Sequence, residues 1–358
     1  MSNTQEKTYG GNTVIEKITN KDFSSLKHHQ ITTNSEINSD GKVFSEKYKY
    51  IADIDFSPMS SGCTSAYINC KEDAWNTFQT CWEGCQSVPI EQKPQCIQNC
   101  VDNYESDTSA CGSEYTECLN GINLPAKSRV IFDMQRKNMN GLPLETQKLV
   151  DNKAVGGNLF EYNSFPGGTG GNIYKPGIEL SLNTDDAVVN CQQIHLDDQN
   201  NLVYDSRYTP RLNYDKYSTK GNPLEVFKEN DVHTAYVWGY NDTYPVIKAE
   251  NVSFSVLNSA VKAATDSLVS LLNQIGDMTT VQQKEAWKTF NTNLRSYEGL
   301  SNAMVTTYTY KPLVGLTSST DPNGIPTYYE YDAFGRLIIV RDIDNNIVKN
   351  YDYHYVTP

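Results

Sequence analysis

Apolar and polar positions alternate with a period of two through most of the chain, and a period near 3.6 replaces this in two windows. Lys42–Ile51, Gly177–Leu182, Tyr236–Tyr240 and Thr306–Tyr310 each set apolar or aromatic residues two apart, which places them on one face of a strand. Turn residues separate these runs. Ser39-Asp40-Gly41 predicts a hairpin near the start, and short strands at Leu159–Tyr162, Ile173–Tyr174 and Ile194–Leu196 are divided by Gly- and Asn-rich turns. The helical windows are 63–118, carried by cysteines, and 254–300. In the second, Val256, Val261, Ala264, Leu268, Leu271, Leu272 and Ile275 form one apolar face ending at Gly276, and Thr280 caps a second helix carrying Trp287, Phe290, Leu294 and Tyr297. These patterns divide the chain into a β-repeat segment (1–58), a Cys-rich helical hairpin (59–121), degenerate β-repeats (122–252), an inserted helical hairpin packed on the sheet (253–300) and the most regular repeats (301–358).

The last segment repeats itself. Thr306-Thr-Tyr308-Thr-Tyr310 with its turn through Gly315 returns 21 residues later as Thr327-Tyr-Tyr329-Glu-Tyr331 with the turn Asp332-Ala-Phe-Gly335, and a third copy opens at Tyr351-Asp-Tyr353-His-Tyr355. The run Tyr331-Asp332-Ala333-Phe334-Gly335-Arg336-Leu337 resembles a YD repeat of the RHS-repeat proteins, and the final stretch is particularly similar to those of the Bacteroidetes. The resemblance implies a mainly β fold, an antiparallel β-hairpin repeat array of the RHS/YD shell type. It also implies a secreted or surface-associated shell that often carries a variable effector at its C-terminal end, with further RHS repeats or that effector as partners. Open edges on so short an array predict self-association or a missing continuation. Two departures stand against it: no extra domain follows Pro358, and the aspartate-proline core motif of a closed shell is missing.

Eight cysteines, Cys63, Cys70, Cys81, Cys85, Cys96, Cys100, Cys111 and Cys118, are spaced by 7, 11, 4, 11, 4, 11 and 7, a series that reads the same in both directions. At 100° per residue each set of four falls within about 60° of one helical stripe. Pro89 and Pro94 mark the turn between two antiparallel helices. Antiparallel helices oppose residues of constant sum, and the pairs Cys85–Cys96, Cys81–Cys100, Cys70–Cys111 and Cys63–Cys118 all sum to 181. This nested set is favoured among the 105 pairings open to eight cysteines. A zinc site is disfavoured because thiols at four levels exceed one tetrahedron. The twin Cys-x3-Cys spacing also resembles helical hairpins of mitochondrial import chaperones.

Composition narrows the function. A net charge of -13 argues against a nucleic-acid ligand, and no apolar run is long enough to cross a membrane. With no signal peptide ahead of the disulfide pattern, the chain reads as a fragment of a longer secreted protein. Tyr outnumbers Phe by 24 to 11, which suits strands with one wet face.

Candidate chemistry is sparse. Gly167–Gly171 lacks the Lys and the spacing of a phosphate loop and reads as a hairpin loop. Cys191 with His195 would need a helix to form a nucleophile pair, and Asp342, Asp344 and Asn346 lack the Gly and Glu of a calcium loop. The expectation is a non-enzymatic scaffold with no catalytic residue, cofactor or metal. The alternative is a carbohydrate-binding or adhesin module in which Tyr236, Trp238 and Tyr240 stack on cell-surface glycans.

Overall fold

The computed structural model describes residues 2–10, 13–38, 40–229 and 231–354. In chain order the first strands are β1 (Ser2–Gly10), β2 (Thr13–Asp22), β3 (Thr33–Ile37) and β4 (Val43–Tyr50), followed by helices α1 (Ser57–Cys85), α2 (Lys93–Gly121) and α3 (Ala126–Arg136). Then come β5 (Pro143–Val150), β6 (Lys153–Pro166), β7 (Asn172–Leu182), β8 (His195–Leu196), β9 (Leu202–Val203), β10 (Tyr208–Tyr217), β11 (Pro223–Phe227), β12 (His233–Gly239) and β13 (Tyr244–Glu250). Helices α4 (Phe254–Ala264), α5 (Leu268–Ile275) and α6 (Val281–Arg295) precede β14 (Met304–Lys311), β15 (Gly315–Thr320), β16 (Pro326–Tyr331), β17 (Leu337–Arg341) and β18 (Ile347–Asn350). The protein is mainly antiparallel β with helical insertions.

The chain forms two compact units, one of Met1–Asn152 with Asn190–Asp205, the other of Lys153–Val189 with Ser206–Pro358. In the first, β1 to β5 pair in sequence order, and α1 to α3 leave from between β4 and β5, which are themselves partners with Phe44 opposite Val150. Its buried residues include Ile51, Ile54, Phe56, Ile131, Phe132 and Met134, with the Phe56 and Phe132 rings edge to face at 5.3 Å. Gln135 donates to the carbonyls of Ile51 and Ile54 at 2.7 and 2.8 Å, fastening α3 to the chain that leaves β4.

In the second unit the order is β6-β7-β10-β11-β12-β13-β14-β15-β16-β17-β18. The helices α4 to α6 again leave between partners, since β13 and β14 pair with Ile247 opposite Thr307. Their apolar faces close one core with the sheet: Leu257, Leu272, Ile275, Trp287, Phe290 and Leu294 cluster with Ala235, Ile247, Ala249 and Val305. Gly239 is required there, because a β-carbon would meet Leu272 Cδ1 at 2.5 Å and Val246 Cγ1 at 2.7 Å.

Several sequence expectations change. Residues 126–136, read as part of the repeat strands, form α3, whose single apolar turn of Ile131, Phe132 and Met134 is too short to show a period. The helix expected to run unbroken to Gly276 is two helices, because the Ser267 side chain accepts from the Ser270 N–H and starts α5 afresh while Thr265 is extended. Gly276 and Thr280 do cap α5 and α6, the latter through a capping box with Gln283. Residues 195–196 pair with β9 in a separate ribbon, outside the repeat sheet. The third tyrosine copy is not a strand at 351–354: the strand there is β18, just before it. Tyr355 and Ser39 lie outside the described residues.

Candidate functional site

The stapled hairpin is built from very little apolar material. Pro58 and Pro94 stand in the first turns of α1 and α2, where a missing N–H costs nothing. Disulfides join Cys63–Cys118, Cys70–Cys111, Cys81–Cys100 and Cys85–Cys96, with Cα–Cα separations of 5.7 to 5.8 Å. Beside the sulfurs, Tyr67 stacks on Tyr115 at 4.8 Å and Phe78 meets Tyr104 at 5.4 Å. Only Cys63, Ala74 and Cys85 on α1 and Cys100, Cys111 and Leu119 on α2 are buried. Covalent links replace the core a helix pair normally needs.

The repeat strands are organised by their turns. At six turns among the described residues the first residue is Asn38, Asp197, Ser218, Asp321, Asp332 or Asp342. Its N–H donates to the carbonyl four residues on, and its own carbonyl accepts from the N–H three residues on. That third residue is Gly41, Asn200, Gly221, Gly324, Gly335 or Asn345, each with positive φ, as a type I turn followed by a left-handed residue demands. The side chain of the first residue then accepts from the N–H four residues on in every case. At Asp332 the carboxylate also receives Arg336 Nε at 2.7 Å, and these donors, the Arg336 backbone first, hold it below the usual carboxylate range. At Asp342 the Asn346 side chain does the same. Burial works against the shift at both aspartates, and the hydrogen bonds prevail. Both carboxylates thus hold the backbone amides and one side chain of their own turns.

Tyrosine supplies the second fastening. Tyr50, Tyr217, Tyr310, Tyr331 and Tyr353 donate their hydroxyls to the carbonyls of Ile31, Pro176, Pro245, Leu316 and Leu337, at 2.8 to 3.1 Å. Burial raises the phenols of Tyr217 and Tyr331 and pushes Tyr310 up to about 12, so these groups stay protonated donors. Gly315 lies beneath Tyr331, where a β-carbon would stand 2.5 Å from the hydroxyl. In Tyr217-Ser218 and Tyr331-Asp332 the residue that clamps the preceding strand is followed at once by the one that caps the next turn. That pairing gives the two-letter repeat signature a physical meaning.

The other predicted residues are distributed as follows. Tyr308 lies opposite Ser319, and Tyr329 opposite Val340 with its hydroxyl 3.2 Å from Ser319 Oγ. Leu337 opens β17 opposite Tyr331, and Tyr351 donates its N–H to the Ile338 carbonyl. The Arg336 guanidinium lies 4.5 Å from the Tyr353 ring centroid. Tyr236 and Trp238 are half-buried on β12, and the Trp238 indole N–H is taken by the Pro223 carbonyl at 2.8 Å. Tyr240 is drawn into a separate group: it packs edge-on against Tyr244 and Tyr310 and accepts the Tyr310 N–H. Gly167–Gly171 closes the β6–β7 hairpin through a 2.7 Å backbone bond. The His195 ring is held by Gln193 and Gln192, while Cys191, outside the four disulfides, takes a contact from Gln147.

Sequence reading missed a buried carboxylate. Glu225 accepts from Lys216 Nζ at 2.8 Å, His233 Nδ1 at 2.7 Å and the Phe254 N–H at 3.1 Å, joining β10, β11 and β12 to the start of α4. Burial pushes its carboxyl up, but the three donors outweigh that and leave it below its ordinary value. Its position inside an alternating strand gave no signal.

Sheet order, capped turns and tyrosine clamps together define an antiparallel β-hairpin repeat protein. Residues 314–347 match the family model described as RHS Repeat, and the chain carries an RHS/YD repeat there. No curated protein matches the chain.

Proposed function

We propose that the chain is a non-enzymatic structural segment of a secreted or cell-surface RHS-repeat protein, preceding or enclosing a C-terminal effector in a longer polypeptide. The carrying observation is that the recurrent polar residues are consumed in building the array: turn carboxylates hold amides, and repeat tyrosines hold carbonyls. The RHS repeat is a structural β unit, and four disulfides suit an oxidising compartment. Among the described residues no helix is long and apolar enough to cross a membrane. The edge strand β18 is exposed at every position, with Ile347 and Val348 outward, which supports further repeats or a second copy as its partner.

The test is non-reducing peptide mapping of the protein recovered from its native host, with cell fractionation. Four nested disulfides in an extracytoplasmic fraction are expected. Eight free thiols in a cytosolic fraction would refute the reading. A second reading, glycan stacking, is favoured by Tyr236 and Trp238 standing half-exposed on β12 two residues apart. It requires a saturable fluorescence change with neutral oligosaccharides that Trp238→Phe removes.

A further inference from the structure

What apolar material the stapled hairpin has is gathered on one side of it. At 100° per residue, Tyr67, Ile68, Lys71, Trp75, Phe78 and Trp82 of α1 lie within about 100° of one another, all turned the same way from the cysteine stripe. Ile97, Val101, Tyr104 and Tyr115 take the matching side of α2. Ring contacts join the two rows: Tyr67 meets Tyr115 at 4.8 Å, and Trp75 and Phe78 meet Tyr104 at 5.9 and 5.4 Å. The helices themselves are joined through sulfur, so these rings cover the seam on one side and form an outer face. Ile68, Trp75 and Trp82, each seven residues from the next, are 51%, 47% and 42% exposed. Lys71, the one charge inside the face, is laid over the Tyr67 ring at 5.8 Å. The opposite side of α1 is exposed and polar, with Asn69, Asp73, Thr77 and Thr80.

A helix pair with one aromatic face lacks the element that would bury it. Its backbone groups are used within the helices, so it offers no edge to an extended strand. Charge narrows the occupant further. Residues 57–121 carry nine Asp and Glu against Lys71 and Lys93, a net charge of -7. Glu72 and Glu83 border the face along α1 and Glu105 borders it along α2, all three exposed. A second copy would bring two such acidic margins together, and an anionic bilayer would be repelled in the same way. An amphipathic helix with Lys or Arg on both flanks of its apolar stripe fits instead: its apolar residues lie on the rings and its cations reach the acidic margins and the tryptophan faces. From Ile68 to Trp82 the stripe spans about 21 Å, the length of roughly four helical turns.

We propose that the aromatic face of the stapled hairpin is a docking surface for a cationic amphipathic helix of a protein partner, which completes a three-helix bundle with α1 and α2. The surface is separate from the repeat strands and stands or falls without their function. The test is titration of the full oxidised chain with a peptide of about 18 residues that sets leucine at helical spacing and lysine on both flanks. Two further peptides accompany it, one of the same composition in scrambled order and one with glutamate in place of lysine. The lysine helix should bind saturably at one peptide per chain, with a blue shift of tryptophan emission and an affinity that falls as salt rises. The scrambled peptide should bind at least about tenfold more weakly, and the glutamate helix should not bind. Trp75→Gln/Trp82→Gln should weaken binding about tenfold or more, and Ile68→Lys, which places a like charge at an exposed position of the face, should weaken it too. Non-reducing peptide mapping and circular dichroism of each variant show that the hairpin is still stapled and helical, so that a loss of binding is read as loss of the face. Four results would each overturn the proposal: no binding of the lysine helix, equal binding of the scrambled peptide, indifference to both variants, or self-association of the chain through Trp75 and Trp82 in sedimentation in place of peptide binding.

Discussion

Breaking the outermost staple of the hairpin tests how far covalent links stand in for a core. The Cys63–Cys118 bond spans 55 residues, and closing such a loop alone would contribute about 4 kcal/mol through the unfolded chain. The bonds are nested, however. With Cys70–Cys111 intact, removing the outer pair frees only the two short flanks beyond it, so the expected loss is nearer to about 3 kcal/mol. Cys63→Ser/Cys118→Ser should therefore lower the hairpin's unfolding midpoint while the repeat strands melt as before. Full reduction should go further, because so few side chains in α1 and α2 are buried. The assay is far-ultraviolet circular dichroism during denaturation, with and without reductant, beside limited proteolysis. These two 29-residue helices hold more than half of the helical residues, so their loss would be plain. A fully reduced chain that kept its helical signal and its protease resistance across 57–121 would refute the reasoning.

Three further outcomes follow from the repeat geometry. Tyr331→Phe removes one hydrogen bond to Leu316 and should cost about 1 kcal/mol, whereas Gly315→Ala, which drives a methyl into the same ring, should cost about 1 to 3 kcal/mol, both read by chemical denaturation. Gly335→Ala, at φ 75°, should cost about 1 kcal/mol in a thermal melt, and a Gly335→Asn variant should recover part of it because Asn345 fills the equivalent place in the next turn. Glu225 has a folded-state carboxyl below its unfolded value, so its contribution is present above the unfolded value and is lost as pH falls through the folded one; Glu225→Gln should flatten that acid limb of a stability-against-pH profile, and an unchanged limb would refute the assignment.

The strands and the staple could be read from the sequence because their signals are local or periodic. Tyr and turn residues recur at short range, and eight cysteines on two stripes specify an antiparallel pair. What escaped reading has a physical reason in each case. Helix α3 is one turn of apolar contact and shows no period, and the break before α5 rests on one serine hydroxyl. The turn shared by Asn38, Asp197 and Ser218 was within reach, since each has Gly or Asn three residues later, but its first residue varies in type. The contact of α6 with the strands after it was beyond reach. Lys284 meets Tyr328, and Arg295 meets Asp321, only because the inserted helices fold back over the strands that follow them, and no spacing in the sequence records that meeting.

The pairing of successive strands within each unit also bears on how the chain acquires its structure. Each strand pairs with the one before it in its unit across a short connection, apart from the excursions that carry the helices and the one between β7 and β10. Such an array has short loops to close and little search to perform, and it can zip up from its first strands as the polypeptide lengthens. The helical excursions between β4 and β5 and between β13 and β14 are the slow steps in that scheme, where a distant strand must return to a waiting edge. The nested disulfides shorten the first of these returns, so oxidation would set the pace at which the growing sheet passes from its fourth strand to its fifth.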